Sequence, residues 1–334
     1  MKIFFRCRGG KFQGWGNVVR LAHIANYIYI YKKFDVFFIY EGDKELKKFL
    51  KSFKFKKIFL NEKIKLNKEK SVLKKIGKPD ITFMEMLEAN LNLQYFYQSI
   101  SKKFIIMDDL LDKIYISDYL ICCQSQNVEK KNILKLEKTK LFIGNKYFPF
   151  NEKLRSGINE KKLKKDISNI LVFLGGGNYE NALLKCGLAL KSIKFNKAKF
   201  IVSPNINNKL KRQIKSISKR FSIQSSVKDV HRLFKNIDLA IVSGGYTKFE
   251  SAMMKVPSLI IQTQWHQKNI SEKFSYSTGC PNLGHMSNLS IKRIVSKINS
   301  LKSLRVRRSI IRNYKRVVNE NGVNEILKVV GILS

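Results

Sequence analysis

Four residues have types and places suited to chemistry: Asn17, Asp109, Glu250 and His266. Asp108 and Asp109 end the apolar run "KFIIMDD", and carboxylates paired at a strand end can share acid/base work. Alternatively, one of them caps the next turn. His266 follows "SLIIQTQW", where a strand delivers its next residue to a ligand, and it is the best-placed titratable group. A solvated loop histidine is the competing reading. Asn17 sits where "GWG" meets the amphipathic segment "NVVRLAHIANYIYIY". Its amide takes no proton in the physiological range but can hold a hydroxyl or orient a water. Glu250 lies five residues past Gly245 in "SGGYTKFESAMMKVPSLIIQ". There it either accepts hydrogen bonds from a ribose diol or complements a helix dipole on a solvated face. His23 reads as helix packing, His231 as surface, and His285 as a loop residue with no evident partner. No metal site is expected, because there is no HxxxH and no carboxylate cluster tighter than "DDLLD". Cys7 and Cys123 read as core thiols.

Glycine-rich turns flank these residues at one recurring place, between a strand and the next helix. They are Gly9–Gly10 with Gly14-Trp15-Gly16, then Gly175–Gly177, then Gly244–Gly245. Glycine lets the backbone turn sharply and approach a ligand, and the following helix end attracts an anion. One such turn is weak evidence, since a tight strand–helix turn needs glycine anyway. Three at equivalent places point to at least one anion site. Neither a Walker A loop nor GxGxxG fits; "GGKFQGWG" lacks the terminal Lys-Ser/Thr, which disfavours an ATPase.

The elements that would position these turns read as α/β. Strands are expected at "IFF", "DVFFIY", "KIFL", "DITFM", "KFIIMDD" and "YLICC", with helices at "NVVRLAHIANYIYIYKK", "KELKKFLKSF" and "NLQYFYQSISKK". Continuous apolar strands separated by helices indicate parallel sheets covered on both faces. The polar stretch "NEKLRSGINEKKLKKDISN" reads as a connector. After it the alternation restarts with strands "ILVFLGGG", "KAKFIVS", "FSIQSS", "DLAIVSGG" and "SLIIQT". Helices fall at "YENALLKCGLALKSI", "VKDVHRLFKN" and "TKFESAMMKV", and the chain is helical from about Ser290. The reading is two Rossmann-like domains, 1–155 and 156–334, with ligands at the carboxyl ends of the strands and facing a cleft.

Composition narrows the function. A net charge of +40 raises nucleic acid and anionic membranes as partners. The lysines are spread along the whole chain, and Ile, Asn, Phe and Lys are all abundant, as an AT-rich genome would give. Local knots such as "KSFKFKK" and "RVRRSIIRNYKR" are too short for a nucleic-acid tail, so no nucleic-acid partner is expected. The inner membrane surface stays a candidate for peripheral contact, and a positive surface would help attract phosphate-bearing substrates. Five scattered cysteines without CxxC spacing fit a reducing compartment. "IFF" is too short for a secretory signal, and no run of 18 apolar residues occurs. A cytoplasmic protein is expected.

"SGGYTKFESAMMKVPSLII" resembles the nucleotide-binding segment of GT-B glycosyltransferases. "GWGNVVR", "DDLLDK" (Asp108 to Lys113), "DYLICCQSQN" and "GNKYFPFNEKL" (Gly144 to Leu154) occur in the order found in one GT-B-like branch. That branch holds the UDP-sugar hydrolase of the pseudaminic-acid pathway and spore-coat polysaccharide biosynthesis proteins. The resemblance covers the chain to about residue 280. It implies a GT-B-like fold, with UDP held by the C-terminal domain and the sugar facing the N-terminal glycine loop. Carried over, Gly176, Gly177, Gly245, Thr247, Glu250 and Gln267 would line the nucleotide site, and Gly14, Gly16 and Arg20 would form the N-terminal side. The family hydrolase has its water-activating histidine where this chain has Asn17. An Asp-x-Tyr ending a middle strand is replaced by "ITFMEMLEAN", which offers Glu85 and Glu88. The leading expectation is cleavage of the anomeric C–O bond of a UDP-activated amino sugar, with the UDP-sugar as substrate and no cofactor. The alternatives are a glycosyltransferase using an acceptor hydroxyl and a catalytically silent nucleotide-sugar-binding protein.

Overall fold

The computed structural model describes all residues except 11–13, 62–63, 125–137, 157–162, 178, 204–205, 226, 228–229 and 334. The chain divides into two compact units, Met1–Phe150 with Asn321–Ser334, and Asn151–Glu320. The last 14 residues thus cluster with the first unit, whereas the sequence reading places them with the second.

The first unit runs β1 (Lys2–Arg8), α1 (Gly16–Tyr27), β2 (Asp35–Glu41), α2 (Lys44–Leu50), β3 (Lys56–Leu60), α3 (Leu66–Lys74), β4 (Ile81–Glu85), α4 (Leu91–Ile100), β5 (Lys103–Met107), β6 (Tyr119–Cys122) and β7 (Lys140–Ile143). All its strands are parallel, in the order β3-β2-β1-β4-β5-β6-β7. The direction of strand order reverses at β1, so the crevice between the β1 and β4 ends is the switch point where such sheets take ligands. Central β1 and β4 are apolar on both faces, as covered parallel strands require. Phe5 stacks on Phe83 at 5.0 Å, and on the other face Phe4 joins a cluster with Tyr97 and Phe104. Arg6, one residue inside that apolar pattern, is fully buried. Its guanidinium is held by Glu41 and by Glu69, whose Oε1 also accepts from Tyr97 Oη at 2.6 Å.

The second unit runs α5 (Glu152–Ser156), β8 (Asn169–Phe173), α6 (Glu180–Lys191), β9 (Lys197–Val202), α7 (Asn208–Ile217), β10 (Phe221–Ser225), α8 (Val230–Phe234), β11 (Leu239–Ser243), α9 (Thr247–Met253), β12 (Ser258–Gln262), α10 (Lys268–Thr278), β13 (Asn282–His285), α11 (Ile291–Ser300) and α12 (Leu304–Asn313). Its parallel sheet is ordered β10-β9-β8-β11-β12-β13, with the switch point between β8 and β11. The chain ends in α13 (Gly322–Val329), part of the first unit. There Gly322 lies so close to the Phe148 carbonyl that a Cβ would overlap it.

Every strand expected from the sequence forms. Six of the numbered elements escape that reading: α3, α5, α7, α10, β7 and β13. Helix α3 is lysine-rich, and its core-facing side, Leu66, Val72 and Leu73, is broken in the middle by buried Glu69. Strands β7 and β13 are four-residue edge strands, and β13 is interrupted by Gly284. Part of the expected connector is helix α5; residues 157–162 of it lie outside the described residues.

Candidate functional site

In the second unit the switch point gathers two of the glycine turns. Gly175–Gly177 leave β8 and Gly244–Gly245 leave β11; a Cβ on Gly175 would sit 3.9 Å from Ser243 Oγ. The β11 turn is closed by Thr247, whose Oγ1 takes Ser243 N at 3.0 Å and lies 2.8 Å from Ser243 Oγ. Thr247 is therefore buried in the scaffold of the turn. Lys248, fully buried, directs its ammonium at the carbonyls of Gly244 and Gly245. It fixes the turn from behind, a role that no sequence pattern signalled.

Gln267 supports the turn from the next strand. Its Oε1 accepts from Thr263 N at 2.9 Å and from Thr263 Oγ1 at 3.3 Å, and its Nε2 lies 3.3 Å from the place a Gly245 Cβ would take. Gly244 is required by this approach: a Cβ there would overlap Ser271 Oγ on α10. His266 stands beside Gln267 on the 3-10 turn Trp265–Gln267 and is exposed.

Glu250 differs from the usual helix-end carboxylate. It is 4% exposed and, among the described residues, its carboxylate has neither an ion pair nor a hydrogen bond. Burial pushes its pKa from 4.5 up to about 8. A solvated dipole-complementing role is incompatible with this position. Between those two values the folded chain holds a proton that the unfolded chain has released, so this group lowers stability as pH rises through that window. We expect Glu250→Gln to match the parent in urea midpoint at pH 5 and to exceed it at pH 9. Parallel pH profiles for the two proteins would contradict the buried, unpaired carboxylate.

The first unit arranges its charges differently. Gly10 and Gly14 form an antiparallel bridge (Gly10 N to Gly14 O, 3.0 Å), closed by Gly14 at φ +76°, a conformation that favours glycine. Helix α1 begins at Gly16. Asn17, in its first turn, is half-buried, and its side chain has no partner among the described residues. Arg20, one turn on, is 6% exposed and bonds Glu85 at the end of β4 and Asp109 beyond β5. Burial opposes its charge, but the carboxylates of Asp109 and Glu85 raise its pKa well above the ordinary value. Its face lies 5.8 Å from the Phe148 ring.

Asp109 is saturated. Oδ1 accepts from Cys123 N at 2.9 Å, and Oδ2 takes Gln124 Nε2 at 2.8 Å as well as Arg20. Asp108 accepts from Leu110 N at 2.8 Å and pairs with Lys113 at 2.6 Å. The two aspartates thus hold different partners and do not form a proton-sharing pair. Glu85 carries the spare capacity: burial raises its pKa to about 8 despite Arg20, and its Oε2 is buried with no partner among the described residues. Glu88 is exposed and pairs with Arg8. The structure therefore gathers Arg20, Glu85 and Asp109 at the first switch point, and Gly176, Gly177, Gly245, Thr247, Glu250 and Gln267 around the second.

No protein-family model matches the chain. It is 26% identical over 276 residues to an uncharacterized protein of Methanocaldococcus jannaschii, covering 78% of this chain and 55% of that one. It is 27% identical over 152 residues to the spore coat polysaccharide biosynthesis protein SpsG of Bacillus subtilis, 44% of each. The matches thus span about half the length of these curated relatives. Among solved structures, Acinetobacter baumannii MurG superposes with a TM-score of 0.67 at 11% identity over 99% of each chain. Anabaena HepE in complex with UDP and glucose gives 0.62 at 13% identity over 100% of each. A putative UDP-N-acetylglucosamine 2-epimerase from Listeria monocytogenes gives 0.65 at 12% identity over 98% and 95%. These likenesses establish the GT-B fold. No helix among the described residues is long and apolar enough to cross a membrane.

Proposed function

We propose that the chain binds a UDP-sugar on its second unit, cleaves the anomeric C–O bond and delivers the sugar to an acceptor hydroxyl in polysaccharide biosynthesis. The observation that carries nucleotide binding is Glu250. A carboxylate buried without a partner, just behind a glycine turn, is costly unless a ligand supplies donors, and a ribose diol supplies two. The uncapped amino end of α6 after Gly175–Gly177 suits the diphosphate. Departing diphosphate would be stabilised by these fixed dipoles. Transfer is favoured over hydrolysis because Asn17 cannot accept a proton from water. The second reading, hydrolysis of the UDP-sugar, rests on the order of the motifs in the first 155 residues.

Calorimetry with UDP tests the binding step. At neutral pH, where burial keeps Glu250 protonated, Glu250→Ala removes a hydrogen bond of about 0.5–1.5 kcal/mol and is expected to weaken UDP by roughly 2- to 12-fold while leaving inorganic phosphate unaffected. Equal UDP affinity in variant and parent would remove the ribose from this carboxylate. Product analysis with a panel of UDP-sugars separates the two reactions: turnover only with acceptor supports transfer, and free sugar without acceptor supports hydrolysis. Tight binding without turnover would make the chain a silent binding protein.

A further inference from the structure

Trp265 is the most exposed of the chain's two tryptophans, at 67%, and it is not loose. Its ring stacks on the imidazole of His285, with centroids 3.6 Å apart and planes 13° from parallel. His285 ends β13, and its Nδ1 lies 2.8 Å from Ser287 Oγ, which fixes the ring. One face of the indole is thus covered by a held side chain, and the ring remains largely open to solvent. An open aromatic face in water is unfavourable, and a rigid one is a preformed stacking surface.

Its place limits what can lie on it. Trp265 opens the 3-10 turn that Gln267 closes, and Gln267 faces the Gly244–Gly245 turn. Glu250 takes the nucleoside side of that turn in the reading above, which leaves the β12–β13 side for whatever the diphosphate carries. The flanking residues Gln264 and His266 are polar, so the surface is an apolar plate with a hydrogen-bonding rim. A pyranose has that same division, with a C–H face and a polar edge.

We propose that Trp265, backed by His285, is the stacking platform for the hexose of the donor. This rests on the nucleotide-sugar reading. Tryptophan fluorescence and calorimetry with UDP and UDP-glucose test it. UDP alone is expected to bind without changing Trp265 emission, whereas UDP-glucose changes it. The change should vanish in Trp265→Phe, which keeps a ring and retains UDP-glucose affinity. Trp265→Ala should weaken UDP-glucose roughly 5- to 20-fold and leave UDP unchanged. Saturation with UDP-glucose without a change in emission would overturn the platform. So would an equal response to UDP alone, which would assign the ring to uracil, or an equal loss of both ligands in Trp265→Ala. Failure of the parent to bind UDP would instead sink the underlying nucleotide-sugar reading.

Discussion

Asn17→His is expected to raise acceptor-free release of UDP from a suitable UDP-sugar by about 10²–10⁴-fold, the usual worth of a positioned general base. The position has room for it. Asn17 lies in the first turn of α1, its side chain is half-buried, and nothing among the described residues holds its amide. An imidazole there would break no existing hydrogen bond. The positive end of α1 would favour its neutral form, the form that accepts a proton. The resemblance to the UDP-sugar hydrolase implies that the residue at this place acts on water beside the sugar. The glycine bridge Gly10–Gly14 that precedes it is intact.

Asn17→Ala serves as the control, because it opens the same space without a base. The expected signature is a gain confined to the histidine variant, with an acid limb in the pH–rate profile near the imidazole pKa. Unchanged UDP release by Asn17→His, with UDP affinity retained, would remove Asn17 from the reacting centre. Efficient acceptor-free hydrolysis by the parent would show that another group supplies the base. Glu85 then becomes the first candidate, because Asp109 has its carboxylate oxygens committed to Arg20, Gln124 and Cys123.

What the sequence made legible follows from local chemistry. Continuous apolar runs identified the strands, and glycines after three of them identified the strand–helix turns, because a covered parallel strand and a tight turn each demand their own residues. Gly176, Gly177, Gly245 and Glu250 were therefore visible as a group. Asp109 was visible at a strand end and Arg20 through the family resemblance, but not as partners, since 89 residues separate them. The same limit hid Arg6–Glu69 and the support of the glycine turn by Lys248, a lysine that composition alone would place in solvent. Trp265 was legible as a residue, but its stacking on His285 depends on β13, whose short, glycine-broken run gives no strand signal.

Arg20→Met is expected to destabilise the first unit by about 3–5 kcal/mol, the cost of breaking a buried ion pair from one side. Arg20 is the cation between Glu85 on β4 and Asp109 beyond β5, and its removal leaves both carboxylates without their guanidinium partner. The two respond differently. Asp109 keeps Gln124 Nε2 and Cys123 N, so its charge stays compensated. Glu85 has no other partner among the described residues, and burial already holds its pKa at about 8 against the pull of Arg20. Without Arg20 that value rises further. The folded variant then retains a proton at Glu85 that the unfolded chain loses above 4.5, and its stability falls with pH over a wider window than the parent's. The cost of the substitution should therefore be smaller at pH 5 than at pH 9. Adding Glu85→Gln to Arg20→Met should recover part of the loss at pH 9 and little at pH 5, a coupling of about 0.5–3 kcal/mol. Urea unfolding of the parent, both single variants and the double variant at the two pH values measures each term. If Arg20→Met unfolds at the parent's midpoint at both pH values, the guanidinium is not the buried counter-ion of these carboxylates. A UDP affinity lost along with Arg20 in a still-folded variant would return it to the ligand-binding role that the sequence resemblance implied.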